Sequence, residues 1–350
     1  MKQTLRDFLC PQPKSKIKAG DGQLKGAYNF YTSSQIQSKF YHSATYTQPA
    51  LIFGTGGMAS VHYCNEPFST STDCLVMYGR LGAPLELIYY YLRSNMHLLQ
   101  DGFKGAGLQH ISKDYILNIN INMPAPSLQE QITHQMRLID AMINGKKQQI
   151  LSFDEAVKSR FIELFGVYPS NPKGWETATI RDIVADVRYG SSRPAVDGGK
   201  YPYLRMNNIT YGGELDLTDT KRIDIPDNEL DKCTVRRGDV LFNRTNSKEL
   251  VGKTCVYNRD EMMVLAGFVI RVRVTERVLP EFLSAFLNTD FSKQMLLGMC
   301  TAAIGQANIN AQEMQNIGIY LPPTELQRQF VQFKEQTDKS KLFDEMEVAA

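Results

Sequence analysis

The stretch of sequence that decides the fold is PAPSLQEQITHQMRLIDAMINGKKQQILSFDEAVKSRFIELFG, which occupies residues 124–166. Large apolar residues recur through it at steps of three and four, apart from one skipped turn at 146–147, and this spacing is typical of one helix face. Ser127 and Glu130 have the spacing of a capping box, and Gly166 suits the left-handed residue that ends a helix. The sequence therefore predicts one helix of about 39 residues, roughly 58 Å long.

An apolar stripe of this length needs a partner helix, and the chain repeats the sequence from which the stripe begins. Asn118-Ile-Asn-Ile-Asn-Met-Pro124 and Asn316-Ile-Gly-Ile-Tyr-Leu-Pro322 stand 198 residues apart, and each is followed by Leu-Gln-x-Gln. The starts of the two globular segments, Thr4–Asp7 and Thr179–Asp182, match at a spacing of 175 residues. We therefore predict a tandem duplication of a domain followed by a helix, with about 23 extra residues inside the second copy.

The duplication divides the chain into four parts. Residues 1–123 and 167–321 are predicted to be globular domains, and 124–166 and 322–350 the long helices that follow them. A chain of 350 residues with 43% hydrophobic side chains can bury more than one core. The second helix is predicted to be about two-thirds as long as the first.

Both globular segments mix short β-rich runs with helical patterns, so the predicted fold class is α+β. Strands are predicted at 50–53, 60–63 and 74–78, and helices at 84–96 and 279–297. The expected architecture is two tandem mixed domains, separated and joined by two long helices, with pseudo-two-fold order.

Charge and composition narrow the classes of protein. The net charge is only +2, but lysine and arginine outnumber acidic residues in 1–123 and balance them in 167–321, which is compatible with nucleic acid. Lys14, Lys16 and Lys18 form a basic stretch that either contacts phosphate or is a solvated loop. No apolar run approaches the roughly 18 residues of a membrane span, so a cytoplasmic protein without membrane contact is expected. The six cysteines lack metal-binding spacing and are expected to be reduced.

Two short motifs resemble those of nucleotide-binding enzymes, and neither is complete. Gly54-Thr-Gly-Gly-Met-Ala59 follows a strand, but a β-type run comes next where a helix would have to receive the phosphates. Gly252-Lys-Thr254 resembles the end of a P-loop, but Ser247 stands where the first glycine is required. The five histidines show no zinc or triad spacing. Nothing in the sequence therefore supports catalysis by this chain.

Polar residues at the ends of predicted strands are candidates for reading DNA. Arg205 and Asn208 follow one strand, and Arg244 and Asn246 follow another. Arginine and asparagine can form bidentate hydrogen bonds with guanine and adenine. The alternative for each is turn capping by asparagine and a surface role for arginine. In the first domain, Tyr31-Thr-Ser-Ser34 combines an aromatic ring with hydroxyls that can contact phosphates.

With these features in place, the chain resembles the specificity subunits of type I restriction-modification systems along its whole length. The residues that carry the resemblance are the two Leu-Gln-x-Gln helix entries, Tyr201-Pro-Tyr-Leu-Arg205 with Asn208-Ile209, Gly238–Phe242, Ile304–Ile309, and in the first half Tyr31–Ser34, Ile52–Gly57 and Ser69–Asp73.

The resemblance implies a division of labour. Each globular segment would be a target recognition domain for one half of a bipartite double-stranded DNA sequence, and the two helices would pack antiparallel as a spacer. The helices would also dock two modification subunits that bring S-adenosylmethionine and the methyltransferase site, with restriction subunits joining for cleavage. The chain itself would hold no cofactor and no metal. The alternatives are the recognition part of a fused restriction-methyltransferase enzyme and a protein-binding scaffold.

Two sets of residues are expected to serve these roles. Candidate DNA-contacting residues are Ser33, Ser34, Thr55, Arg205, Asn208, Arg244, Asn246, Gln306 and Asn308. Candidate partner-binding residues on the helices are Leu128, Ile132, Ile139, Ile150, Phe153, Val157, Phe161, Leu326 and Phe330.

Overall fold

The computed structural model of the protein describes residues 3–105, 107, 109–247, 249–300 and 307–349. The chain divides into two compact units, Met1–Asn144 and Gly145–Ala350. One long helix continues from the first unit into the second.

The first unit begins with nine short strands and four short helices among its described residues. The strands are β1 Gln3–Thr4, β2 Leu9–Pro11, β3 Tyr28–Tyr31, β4 Lys39–Tyr41, β5 Ala50–Gly54, β6 Val61–Cys64, β7 Phe68–Thr70, β8 Cys74–Gly79 and β9 Asn120–Ile121. The helices are α1 Leu5–Phe8, α2 Leu85–Ser94, α3 His97–Gln100 and α4 Lys113–Leu117, and the long helix α5 Pro126–Phe165 follows. A 3₁₀ turn covers Ala19–Asp21.

Two sheets form the body of the first unit. One is antiparallel with the order β2-β8-β5-β6, and the other has the order β4-β3-β7 with β3 and β7 parallel. A separate pair, β1 with β9, joins the two ends of the domain. Helix α2 packs its Leu85, Ile88 and Leu92 into the core over the first sheet.

The second unit contains the following described elements after the end of α5. The strands are β10 Glu176–Thr179, β11 Val184–Tyr189, β12 Tyr201–Leu204, β13 Lys221–Ile223, β14 Thr234–Val235, β15 Val240–Asn243, β16 Thr245–Asn246, β17 Thr254–Val256, β18 Met263–Leu265, β19 Val269–Val274, β20 Ala307–Asn308 and β21 Gly318–Leu321. The helices are α6 Asp227–Cys233, α7 Pro280–Leu287, α8 Asp290–Met299, α9 Ala311–Gln315 and α10 Thr324–Ala349. 3₁₀ turns cover Ile180–Ile183 and Met206–Asn208.

The second unit repeats the topology of the first, which confirms the predicted duplication. Its antiparallel sheet β11-β19-β15-β17 corresponds to β2-β8-β5-β6. The sheet β13-β12-β18-β14 corresponds to β4-β3-β7, because β12 and β18 are again parallel, and the pair β10 with β21 again joins the domain ends. Helix α6 and strand β14 have no counterpart among the described elements of the first unit, and they account for part of the extra length.

The hydrogen bonds at the two domain starts are the same. The Asp7 carboxylate accepts from the Thr4 backbone N–H at 2.8 Å, and the Asp182 carboxylate accepts from the Thr179 backbone N–H at 2.8 Å. These bonds explain why the sequence Thr-x-Arg-Asp occurs at both places: the carboxylate caps the first turn. The backbone bond lowers the pKa of Asp182.

The long helix is confirmed, although its start differs from the expectation. Helix α5 has 40 residues, and Gly166 ends it with a φ of +84°. Ser127 lies inside the helix, so the predicted capping box of Ser127 and Glu130 is wrong. Pro126 opens the helix instead, as proline suits a first turn where its missing N–H is not needed. Helix α10 has 26 residues and is shorter than α5, as predicted.

The predicted helix over 279–297 is two helices. Helix α7 ends at Leu287, and Thr289 caps α8 by accepting a hydrogen bond from the Ser292 backbone N–H at 3.2 Å. The apolar spacing continues through the break because both helices pack on the same core. Apolar spacing alone therefore does not reveal that a helix cap interrupts it.

Candidate nucleic-acid interface

The loops that follow β5 and β15 occupy equivalent places in the two domains. The Ile111 backbone N–H donates to the Thr55 carbonyl at 3.2 Å, and the Ile309 backbone N–H donates to the Arg244 carbonyl at 2.9 Å. Ile111 and Ile309 also stand 198 residues apart in the repeat. Thr55 and Arg244 therefore occupy equivalent positions, Thr55 directly after β5 and Arg244 directly after β15.

Arg244 is held by an aromatic ring and not by an acid. Its guanidinium lies 5.0 Å from the centre of the Tyr189 ring, and Tyr189 is itself fixed because its hydroxyl accepts from the Ala311 backbone N–H at 2.8 Å. None of the described acidic side chains forms an ion pair with Arg244. A guanidinium oriented in this way keeps its charge, while its Nε is buried and has no hydrogen-bond partner among the described residues.

The structure brings Arg244, Asn246 and Asn308 together. Strand β16 pairs with β20, which places Thr245 opposite Asn308, and the Thr245 hydroxyl donates to the Asn308 side-chain oxygen at 2.9 Å. The Asn246 side-chain oxygen accepts from the Ser247 backbone N–H at 2.9 Å. Both asparagines are partly exposed, and their side-chain oxygens are fixed by these bonds. Gln306, the remaining candidate of this loop, lies outside the described residues.

Arg205 and Asn208 form a separate group, in which the chain itself uses most of the polar atoms. Asn208 is buried; its side-chain oxygen accepts from the Arg205 backbone N–H at 2.8 Å, and its amide donates to the Asp216 carbonyl at 2.9 Å. The Arg205 guanidinium forms an ion pair with Asp219 at 2.9 Å. This geometry matches the turn-capping alternative for Asn208, and DNA contact by these two residues stays a prediction.

The first-domain candidates also form bonds within their own domain. The hydroxyls of Ser33 and Thr55 both donate to the Asp73 carbonyl, at 2.7 and 2.9 Å, and Thr55 is buried. Ser34 is exposed, and His62 Nε2 lies 2.8 Å from its carbonyl oxygen. Burial lowers the pKa of His62, so this ring is neutral at pH 7. Ser33 and Thr55 therefore fix the strand end, and among these three side chains Ser34 is the one that faces solvent.

A groove of about 720 Å³ with both polar and apolar lining residues lies beside Thr55 and was not predicted. His110 lines it, with Nδ1 placed 3.0 Å from the Thr55 carbonyl, and the exposed Lys14 and Lys113 are also among its lining residues. The repeat contains the signal for His110, because His110 and Asn308 stand 198 residues apart at the same place in the two domains. A groove with two lysines next to a strand-end loop is suited to binding phosphate.

The helical candidates divide into exposed and buried residues. Leu128 and Ile139 are about half exposed, at 47% and 49%, while Ile132, Ile150 and Phe153 are partly buried. In the second unit, Val157 and Leu326 pack against the core. Phe161 and Phe330 lie inside it with their ring centres 5.3 Å apart, so these two have no surface to offer another subunit, contrary to the expectation.

Helix α10 runs antiparallel to the part of α5 that belongs to the second unit. Phe330 faces Phe161, Lys341 Nζ lies 2.8 Å from the Asp154 carboxylate, and Asp344 lies 2.7 Å from Lys146 Nζ. As the residue numbers of these contacts rise along α10, those of their partners fall along α5, so the two helices run in opposite directions. The predicted antiparallel pairing is thus present within this unit.

The two nucleotide-binding motifs noted in the sequence are not completed among the described residues. No group of three or more His, Cys, Asp or Glu side chains is placed to hold a metal ion within the described ranges. Strand β5 continues into the antiparallel β6, so Gly54–Ala59 does not lead into a phosphate-binding helix. Lys253 is buried and donates to the Met206 carbonyl at 2.9 Å. Among the described helices, none is long and apolar enough to cross a membrane.

The structure therefore defines a class: two α+β domains of the same topology, each followed by a long helix and each presenting polar side chains at an equivalent strand end. A family model described as the type I restriction modification DNA specificity domain matches residues 3–152 and 172–344. The chain belongs to this family.

Two curated relatives are similar to this chain. One is the type I restriction enzyme EcoKI specificity subunit of Escherichia coli (strain K12), 24% identical over 234 residues, which cover 62% of this chain and 50% of that protein. The other is the putative type I restriction enzyme MjaX specificity subunit of Methanocaldococcus jannaschii, 28% identical over 162 residues, which cover 45% of this chain and 38% of that protein. The chain thus spans half or less of the length of these relatives.

Two solved structures share the fold. The S subunit of a type I restriction-modification system from M. genitalium has a TM-score of 0.60 and 13% identity, covering 100% of this chain and 92% of that one. A chain from a structure concerned with complex assembly and conformational transition of the type I R-M system has a TM-score of 0.56 and 15% identity, covering 100% and 93%. At these identities the likeness concerns the fold.

Proposed function

We propose that this chain is the DNA-reading specificity subunit of a type I restriction-modification complex. In this proposal, residues 1–123 and 167–321 are two target recognition domains that read the two halves of a bipartite double-stranded sequence. The observation that carries the proposal is the pair of equivalent strand ends, where one framework presents different side chains. Thr55 and His110 in the first domain stand where Arg244 and Asn308 stand in the second.

A shared framework with different loop side chains is suited to reading two different half-sites. The strand ends hold short loops in place, so a polar group there meets a base edge or a phosphate without being ordered anew. Arg244 has the chemistry to bind guanine or phosphate, and Asn308 has the chemistry to bind adenine. In the first domain, the groove with Lys14 and Lys113 supplies phosphate contacts, and the exposed Ser34 supplies a hydroxyl.

The chain supplies recognition in this proposal, and partner subunits supply the chemistry. Exposed apolar residues along α5, including Leu128 and Ile139, form the surface on which two modification subunits dock. Those subunits bind S-adenosylmethionine and methylate adenine, and restriction subunits join them for cleavage. The complex acts in the cytoplasm. The chain alone is expected to bind no S-adenosylmethionine by calorimetry and to methylate no DNA until the modification subunit is added.

A domain exchange tests the proposal most directly. Residues 176–321 are bounded by β10 and β21, which pair from Glu176↔Leu321 to Thr179↔Gly318, so this segment is replaced as one piece by the same segment of a relative. The exchanged chain is reconstituted with the modification subunit, and methylated sites are mapped on genomic DNA. One half of the methylated sequence should change and the other should remain. The matched control exchanges residues 3–121, bounded by β1 and β9, and should change the opposite half.

Two outcomes would contradict the proposal. If both halves changed together in either exchange, the domains would not read independently. If neither exchange altered the methylated sequence, while circular dichroism showed both chains folded, DNA reading would lie elsewhere.

A further inference from the structure

The turn between β18 and β19 places an exposed phenylalanine beside Arg244. Phe268 is 54% exposed, although Ala266 and Val269 of the same turn are buried. The Arg244 backbone N–H donates to the Phe268 carbonyl at 3.0 Å, so the two residues are neighbours at the end of β15. A single exposed apolar side chain is common on protein surfaces. What distinguishes Phe268 is its place beside Arg244, in a turn that the backbone holds.

Backbone hydrogen bonds hold this turn on two sides. The Val269 backbone N–H donates to the Ala266 carbonyl at 3.0 Å, which closes the turn, and the Gly267 backbone N–H donates to the Ser191 carbonyl at 2.7 Å. Gly190 lets the chain after β11 approach the turn this closely, because a Cβ atom there would collide with the Ala266 carbonyl oxygen. The exposed ring is therefore presented by a fixed backbone and can meet a partner without being ordered anew.

The first domain contains the same turn between β7 and β8. The Thr55 backbone N–H donates to the Asp73 carbonyl at 2.9 Å, in the place of the bond from Arg244 to Phe268. Asp73 directly precedes β8, as Phe268 directly precedes β19, so the two residues are counterparts. Asp73 is also exposed. Equivalent turns therefore present a carboxylate in one domain and an apolar ring in the other.

These two side chains differ in the base that they are suited to contact. In the major groove, an apolar side chain meets the 5-methyl group of thymine, and an aspartate accepts a hydrogen bond from the N4 amino group of cytosine. Arg244, beside Phe268, has the chemistry to donate to guanine. Hydrogen-bonded backbone segments lie roughly 4.8 Å apart, and successive base pairs are roughly 3.4 Å apart. Side chains from the two segments are therefore spaced to meet the same base pair or neighbouring ones.

We propose that Phe268 is a specificity-determining residue of the second domain, whose ring packs against the 5-methyl group of a thymine in the major groove, next to the group that Arg244 binds. This inference rests on the proposed function, because it assigns one contact within the half-site of residues 167–321. An exposed ring can also insert between two base pairs, and such a wedge would be indifferent to the methyl group. Dependence on that one carbon atom of the DNA therefore distinguishes the proposed contact.

Removal of the methyl group from the DNA provides the test. The half-site of the second domain is the part of the methylated sequence that changes when residues 176–321 are exchanged. Deoxyuridine replaces each thymine of this half-site in turn, which deletes the 5-methyl group and keeps the hydrogen-bonding groups. Binding by the chain reconstituted with its modification subunit should weaken about fourfold at one of these thymines, as expected for one buried carbon. Deoxyuridine outside both half-sites is the control DNA and should have no effect.

Variants of Phe268 connect the methyl group to this ring. Phe268→Ala should bind the thymine-containing site about fourfold more weakly or worse, and it should no longer distinguish thymine from deoxyuridine. Phe268→Leu keeps an apolar side chain and should retain the preference for thymine. Met262→Ala is the matched control, because Met262 is 47% exposed at the other end of β18, and it should leave both affinities unchanged. Circular dichroism checks that each variant is folded.

Three results would overturn this inference and leave the proposed function standing. The first is a half-site of the second domain without any thymine on either strand. The second is equal affinity of the wild-type complex for thymine and deoxyuridine at every position of that half-site. The third is the same loss of affinity on deoxyuridine substitution in the wild type and in Phe268→Ala, since the ring would then stack on bases or support the turn. Absence of any sequence-specific binding by the wild-type complex would overturn both the proposed function and this inference.

Discussion

The two domains share their hydrogen-bond framework but differ in how their helical ends are packed. Both are joined by a strand pair between their ends and capped by an aspartate, and in both a glutamine donates to the proline that precedes the long helix. The second domain adds a cluster of buried aromatic rings at its helical end, whereas the first has smaller side chains and an open cleft there. Duplication has thus kept the backbone geometry, while the side chains that decide packing and binding have diverged.

The largest expected effect on stability concerns Phe330 of α10 and its counterpart Ile132 of α5, which stand 198 residues apart. Phe330→Ala should lower the free energy of unfolding of the second unit by about 3 to 5 kcal/mol, because Phe330 is fully buried among Phe161 and Phe165. Ile132→Ala, at the same place in the first unit, should cost less than about 1.5 kcal/mol, because its side chain is partly exposed. Denaturant unfolding followed by Trp175 fluorescence reports the second unit, and circular dichroism reports both units. Equal costs would contradict the difference in packing.

A second comparison concerns two arginines of the second domain in DNA binding. Arg244→Ala should weaken binding of the reconstituted complex to its target by about 1 to 3 kcal/mol, because no described acid neutralises this guanidinium. Relaxed specificity at one position would indicate a base contact, and a salt slope lower by about one unit would indicate a phosphate contact. Arg205→Ala should have the smaller effect, since Arg205 is paired with Asp219. Unchanged affinity, salt slope and specificity for Arg244→Ala would assign that arginine to structure.

A third comparison uses the two glutamines at the helix starts. Gln327 is fully buried; it accepts from the Leu279 backbone N–H at 2.8 Å and donates to the carbonyls of Arg277 and Pro322. Gln327→Ala should therefore destabilise the second unit by about 1 to 3 kcal/mol, because buried polar groups lose their partners. Gln129→Ala removes one bond at a partly exposed site and should cost about 0.5 to 1.5 kcal/mol. Thermal or denaturant unfolding measures both, and a larger cost for Gln129→Ala would contradict the ranking.

A last effect concerns the pH dependence of stability and a lysine of the second domain. Burial, together with the nearby charges of Lys253 and Lys158, lowers the pKa of Lys293 to about 8. As the pH rises, the folded state therefore releases this proton at a lower pH than the unfolded state does. The free energy of unfolding should then increase as the pH rises from about 8 toward the ordinary lysine pKa. Lys293→Met should raise stability at pH 7 and remove that rise. An unaltered pH profile in the variant would show that Lys293 does not titrate in this range.

The sequence predicted the parts of the fold that depend on local spacing. The apolar stripe predicted α5, the repeat predicted α10 and the second domain, and Gly166 marked the end of α5. The places where the sequence misled depend on tertiary contacts. Ser127 has the chemistry of a cap, but Pro126 already starts the helix, and Phe161 belongs to the stripe yet turns into the core of its own unit.

The sequence was enough to predict which loops carry the candidate site, but not which hydrogen bonds their side chains make. Arg244, Asn246 and Asn308 do come together, because the strand ends from which they were predicted are neighbours in the fold. Asn208 looked the same in sequence, yet its amide is used by the carbonyls of Asp216 and Asp219. Which hydrogen bonds an asparagine makes depends on residues distant in the chain, and a single sequence does not show them.

The strand pairs between domain ends also set an order for synthesis. Strand β1 cannot pair until β9 has been made, and β10 must wait for β21, which the ribosome reaches only after the rest of that domain. During this interval the first strand of each domain is an unpaired edge, and contacts between such distant residues form slowly. Completion of each domain therefore comes with its final strand, so a nascent chain halted before residue 318 should hold the first domain complete while β10 lacks its partner.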